Sequence, residues 1–207
     1  MITKLYILDI NFILDLQGKE LLTPERRERM GRYLRRADQA RCLGAGLLLR
    51  TAFGAEKAAQ IVTDPLGKPY LPGGPYFNLS HSGAKVVLLV ADRPSGVDIE
   101  RIAPWPEAVA RKVYTPKEQA WLKKQAGDSA FYRLWTAKEA IMKALGLGFR
   151  LPPESFEVCT EEETPNPVFG SPWYLQWREI DGHMLCWAVD SPGEKICIRE
   201  VFPKDIR

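Results

Sequence analysis

Apolar and polar positions alternate over residues 3–10, a period of two that predicts an opening strand. Thr23-Pro24 then reads as a helix start, with Thr as N-cap and Pro at the first helical position. Asp38 restarts a helix that runs through Arg41 into the apolar run Leu47-Leu-Leu49. Residues 64–76 are rich in Gly and Pro and predict a loop that carries Lys68. The polar cluster in Phe77-Asn-Leu-Ser-His-Ser-Gly83 predicts a turn. A strand over 85–91 leads through Asp92-Arg-Pro-Ser-Gly96 into another over 96–102. The turn near 93–96 divides the chain into an N-terminal half, 1–95, and a C-terminal half, 96–207.

In the second half the period changes to that of a helix. Thr115-Pro-Lys-Glu118 has the form of a capping box and opens a short helix to about residue 125. Asp128 or Ser129 restarts a longer one. Phe131, Leu134, Trp135, Ile141, Met142 and Leu145 fall on one side of it, and Gly146 ends it. Pro152-Pro153 blocks extension. Glu161-Glu-Glu163, with Pro165 and Pro167, predicts an exposed acidic loop. Strands over 173–180 and 183–189, joined by Asp181-Gly182, predict a hairpin, with His183 at the surface. A last strand covers 195–202. The fold class is α+β, with no repeat in the letters.

Charge at the edge of the apolar stripe changes the picture. Lys138 lands inside the stripe, where it either snorkels or needs a buried partner. Glu139 and Lys143, four residues apart, are neighbours at its border: a surface ion pair or part of a site. In Gly96-Val-Asp-Ile-Glu100 the strand period puts Asp98 and Glu100 on one face. Two adjacent carboxylates repel unless a cation lies between them, and hard oxygen ligands suit Mg2+. Arg26, Arg27, Arg29, Arg32, Arg35 and Arg36 cluster on one segment, either as a solvated face or as an anion site. A metal shared by three carboxylates, with lysines and arginines around it, points to a ligand carrying several phosphates. There is no glycine-rich phosphate loop of the Walker or dinucleotide type.

Composition narrows the class without naming it. The 207 residues carry 29 basic and 26 acidic side chains, a net charge of +3, and are 45% hydrophobic, enough for a sizeable core. No apolar run is long enough for a membrane span, and the N-terminus lacks the features of a signal peptide. Cys42, Cys159, Cys186 and Cys197 fit neither a zinc site nor a CxxC pair and are expected as reduced thiols in a cytoplasmic protein.

At four stretches the sequence resembles the 4′-phosphopantetheinyl transferases of the surfactin-synthetase type. These are Gly67-Lys-Pro69, Asn78-Leu-Ser-His-Ser82, Gly96-Val-Asp-Ile-Glu100 and Phe131-Tyr-Arg-Leu-Trp-Thr-Ala-Lys-Glu-Ala-Ile-Met-Lys143, in the family's order. The resemblance implies a pseudo-dimer of two similar α/β halves with coenzyme A in the cleft between them. It implies magnesium-dependent transfer of phosphopantetheine from coenzyme A to a serine of an apo acyl or peptidyl carrier protein, releasing adenosine 3′,5′-bisphosphate. Asp98, Glu100 and Glu139 match the magnesium ligands. Lys143 matches a pyrophosphate-contacting lysine, and Lys138, beside Glu139 on the same helix, is expected among the coenzyme A-binding residues. Ser80 and His81 match residues that hold the phosphates, Lys68 one at the adenine end, and Arg26, Arg29 and Arg41 basic residues that grip coenzyme A. Cys42 stands where a relative has a hydroxyl. The base that takes the serine proton is Glu139, Glu118 or a metal-bound water. The expected enzyme is a cytoplasmic monomer that binds neither nucleic acid nor membrane. A catalytically silent carrier binder and an RNA-binding module led by the arginine helix are the alternatives.

Overall fold

The computed structural model describes residues 2–161 and 164–206. The chain is α+β and forms two compact units, one of residues 1–92 with 195–207, the other of residues 93–194.

The first unit is built on a sheet of order β10-β1-β5-β4. Its elements are β1 (Thr3–Asp9), α1 (Pro24–Gly31), α2 (Arg36–Phe53), α3 (Ala55–Ala59), β2 (Val62–Thr63), β3 (Pro69–Tyr70), β4 (Tyr76–Ser82) and β5 (Lys85–Ala91). Its edge strand β10 (Ile196–Glu200) runs parallel to β1, while β4, β5 and β1 pair antiparallel. Thr23 caps α1 as its sequence predicts, its Oγ1 accepting from the Arg26 amide at 3.3 Å. Leu43, Leu47 and Leu48 of α2 are buried in one core with Leu8, Val86 and Leu88 of the sheet. Two expectations are corrected here. The Asn78–Ser82 stretch is the end of a strand and not a turn, because its residues pair in register with 85–89 of β5. Residues 195–207 belong with the first unit and not the second, because β10 bonds to β1.

The second unit has an antiparallel sheet of order β6-β9-β8-β7. It comprises β6 (Ser95–Arg101), α4 (Glu107–Val113), α5 (Pro116–Leu122), α6 (Ser129–Leu145), β7 (Pro165–Val168), β8 (Ser171–Ile180) and β9 (His183–Val189). α6 begins after Asp128 and stops at Gly146, which takes the left-handed conformation (φ 73°) that glycine adopts without strain. Its Leu134, Ile141 and Met142 share a core with Trp173, Leu175 and Met184. Two more expectations fail. Residues 165–168, read as loop, form β7, pinned by Asn166, whose buried amide donates to the carbonyls of Thr164 and Trp173. His183 is buried, with Nδ1 2.9 Å from the Asp181 carbonyl oxygen, because the hairpin folds its ring inward. Glu162 and Glu163 of the acidic loop lie outside the described residues. All four cysteines are free thiols. Among the described residues no helix is long and apolar enough to cross a membrane.

Candidate functional site

The site in the second unit begins with a residue that has no side chain. A Cβ on Gly96 would sit 1.9 Å from the Ala140 carbonyl oxygen and 2.7 Å from the Ala144 nitrogen. Glycine is thus what allows α6 to lie directly on β6. The strand period then turns the alternate residues Asp98 and Glu100 to the same side as Gly96, the side that α6 covers. Asp98 is buried, and the Lys143 ammonium donates to its Oδ1 at 2.5 Å. One helical turn before Lys143 stands Glu139. Burial pushes its carboxyl up to about 7, and the negative charges of Asp98 and Glu100 add to this, against the pull of Lys143. Three acids of β6 and α6 therefore act on one another across the strand–helix contact, beside a single ammonium.

This donor set is all oxygen and rich in negative charge, which is the chemistry of a hard cation. The carboxylates are not closed into a ready cage: among the described residues no group of three acids, histidines or cysteines is placed to hold a metal ion. An approaching cation would compete with Lys143 for Asp98.

Lys138 and Glu118 have a different place from the one the sequence implies. Lys138 is fully buried, and Glu118 is 2% exposed. Lys138 Nζ lies 2.8 Å from Glu118 Oε1 and donates to the carbonyls of Pro153 at 2.8 Å and Phe156 at 2.6 Å. Its ammonium also sits 4.6 Å from the centre of the Phe156 ring. Desolvation lowers the Lys138 pKa, opposed by Glu118. Glu118 accepts from the Thr115 amide through Oε2 and from the Val158 amide through Oε1, so the capping box is realised. Both side chains are enclosed and engaged. In this structure Lys138 and Glu118 are spent on protein partners: each other, two backbone carbonyls and two backbone amides. The 153–158 segment that receives Lys138 escaped the sequence reading, since its contribution is backbone oxygen and carries no side-chain signature.

The first unit gathers part of the expected basic set. Arg41 donates through Nη1 to the Gly83 carbonyl at 2.7 Å and pairs with Asp38, which fixes it beside the β4–β5 turn. At the end of β4 the pleat alternates: Ser80 is buried and His81 exposed. Arg26 lies beside Cys42, one residue from Arg41 on α2. Burial lowers the pKa of Arg26, with the Cys42 thiol countering. Cys42 itself is pushed up by burial and donates weakly to the Arg26 carbonyl at 3.9 Å. Arg26, Arg41 and the β4–β5 turn after His81 are thereby linked through adjacent contacts. Arg29 is exposed in the last turn of α1. Lys68 is on the loop between β2 and β3, where Asp64 Oδ1 accepts from its backbone amide at 2.8 Å. Burial lowers the Lys68 pKa, and Asp64 opposes this.

Comparison with known proteins bears on the same residues. The family model of the 4′-phosphopantetheinyl transferase superfamily matches residues 94–192, which include β6 and α6. A 4′-phosphopantetheinyl transferase of Bacillus subtilis is 34% identical over 176 residues, 80% of this chain and 75% of the relative. The 4′-phosphopantetheinyl transferase Sfp of Bacillus subtilis (strain 168) is 30% identical over 202 residues, 89% of this chain and 86% of the relative. The 4′-phosphopantetheinyl transferase gsp of Aneurinibacillus migulanus is 32% identical over 148 residues, 65% of this chain and 60% of the relative. Two of these alignments run through both units, and with the strand–helix acids inside the matched family region the chain belongs to the 4′-phosphopantetheinyl transferase superfamily.

Proposed function

We propose that this enzyme transfers the 4′-phosphopantetheine group of coenzyme A to a serine of an apo acyl or peptidyl carrier protein. It does so with Mg2+ and releases adenosine 3′,5′-bisphosphate. The observation that carries the reading is the close contact of β6 with α6, which brings Asp98 and Glu100 to Glu139 and to the Lys143 ammonium that bonds Asp98.

Asp98, Glu100 and Glu139 are the residues that would hold Mg2+. When bound, the ion supplies charge neutralisation at the pyrophosphate. The chain's own groups do the rest. The carrier serine oxygen attacks the β-phosphorus of coenzyme A while its proton passes to the Glu139 carboxylate. Proton transfer to a carboxylate positioned at the reacting hydroxyl is general base catalysis. The bond from the β-phosphorus to the bridging oxygen breaks, and its electrons stay on the departing bisphosphate. Lys143 stabilises that developing charge. In the first unit Arg26, Arg29, Arg41, Ser80 and His81 hold the phosphates of coenzyme A, and Lys68 its adenine end.

The family's pseudo-dimer belongs to this proposal, supported by a four-stranded sheet and a long helix in each unit. So do a monomeric state and a cytoplasmic location, the latter supported by four free thiols. The test is mass spectrometry of a panel of apo carriers incubated with the protein, coenzyme A and MgCl2. One phosphopantetheine on a serine, abolished by EDTA, is expected. A folded protein that modifies no carrier of a broad panel overturns the reading.

A further inference from the structure

Lys138 and Glu139 are neighbours on α6 but point about 100° apart. One enters the core beneath α5, and the other meets the acids of β6. A buried ion pair such as Lys138–Glu118 gains little over an apolar pair of the same volume. Its geometry is the informative part. The Lys138 ammonium has three acceptors: Glu118 Oε1, the Pro153 carbonyl and the Phe156 carbonyl, all within 2.8 Å. The carboxylate it meets is itself tied to the amides of Thr115 and Val158. Three segments, the start of α5, the middle of α6 and residues 153–158, are locked to one another at one point.

On the opposite side of α6, Gly96 meets Ala140 and Ala144 at the closest approach, and Asp98 bonds Lys143 within the candidate site itself. The Lys138–Glu118 contact is a tie of the same helix made outside that site. Slippage by one residue would move Glu139 by about 1.5 Å and rotate it by about 100°. Productive geometry at a catalytic group tolerates only about 0.5 Å.

We propose that Lys138 and Glu118 are positioning residues for the transfer reaction. They form a buried clamp that sets the register of α6 on β6 and so holds Glu139 and Lys143 at Asp98 and Glu100. The proposal rests on the transfer function proposed above, but its structural half can be read without it.

The test compares wild type with Lys138→Met/Glu118→Gln, a pair that removes both charges together, assayed well below its Tm. A misplaced catalytic group predicts a kcat lower by about tenfold to a hundredfold, with KM for coenzyme A within about threefold of wild type. Hydrogen exchange supplies the readout independent of transfer. Amides 139–143 should exchange faster in the double variant, while those at the start of α6 keep their protection. If the double variant does not fold, Phe156→Leu takes its place. It removes only the ring over the ammonium, and a severalfold lower kcat at nearly unchanged Tm is expected. Wild-type kcat per folded molecule in whichever variant folds, or unchanged exchange at 139–143, overturns the clamp. A wild type that transfers nothing overturns the transfer reading instead, and leaves the exchange result to decide the clamp.

Discussion

Glu139 is the residue on which the proposed chemistry turns, and its titration makes a signed prediction. Its folded pKa of about 7 lies above the ordinary carboxylate value of 4.5, so the folded state holds this proton more tightly than the unfolded state. Stability from this group is fully present below pH 4.5 and is lost as pH rises through about 7. The Tm of the metal-free protein should therefore fall between those values. Glu139→Gln should flatten the fall, and added Mg2+ should raise Tm most at the alkaline end, where the carboxylate is charged. A pH–Tm series on both proteins, with and without Mg2+, measures this, and an unchanged slope in Glu139→Gln refutes it. Loss of a general base lowers kcat by about a hundredfold or more, so the same variant should lose most of its transfer. At this scale the sequence was only half legible. The i,i+4 spacing of Glu139 and Lys143 and the one-face placement of Asp98 and Glu100 were readable as periodicity. The burial that raises the Glu139 pKa was not, because it depends on β6 beneath α6. Glu118 shows the reverse: its capping box was readable, but the buried lysine that pairs with it was not.

At the scale of elements, the pairing of β6 with α6 depends on Gly96. Its missing Cβ would fall well inside the Ala140 carbonyl oxygen and the helix backbone, neither of which is a flexible side-chain end. Gly96→Ala must push α6 off the strand. Overpacking of this kind costs about 1–3 kcal/mol, and the upper end is expected because backbone has to move. Urea denaturation should give that loss. Transfer should fall further than stability alone explains, because Glu139 and Lys143 move away from Asp98. A fully active, fully stable Gly96→Ala would refute the close strand–helix contact. Several arginines of the N-terminal segment and α2 are held by local oxygens. Arg27 donates to the carbonyls of Glu20 and Leu22, Arg32 pairs with Glu28, Arg36 donates to Leu14, and Arg41 is held by Gly83 and Asp38.

For the whole molecule, the proposal divides the labour: residues of the first unit recognise the donor, and those of the second carry out the chemistry. The 3′-phosphate distinguishes coenzyme A from dephospho-coenzyme A, and His81 and Arg41 are proposed to hold it. A charge-assisted hydrogen bond is worth about 1.5–3 kcal/mol, so two separate the donors by roughly a hundredfold or more. His81→Ala/Arg41→Ala should erase most of that preference and leave the KM for the carrier unchanged. The measurement is the ratio of kcat/KM for the two donors. A preserved ratio returns these residues to support of the β4–β5 turn, where Arg41 already holds Gly83.

The local signals in the sequence determined a good deal on their own. Thr23-Pro24, the Thr115 capping box, Gly146 and Asp181-Gly182 bounded their elements as read, because caps and tight turns are satisfied by residues within a few positions. Four ordered motifs identified the family. Only the tertiary structure decided what depends on partners distant in sequence. Val87 and Leu89 in the facing strand made residues 78–82 a strand. Asn166 turned the proline-rich residues 165–168 into β7, and β1 drew β10 back across nearly the whole chain to the first sheet. The same holds for Lys138. Its position in an apolar stripe left a snorkelling stem or a buried partner open, and the choice, Glu118 together with two carbonyls of the 153–158 segment, is set by a meeting of three segments that no periodicity encodes.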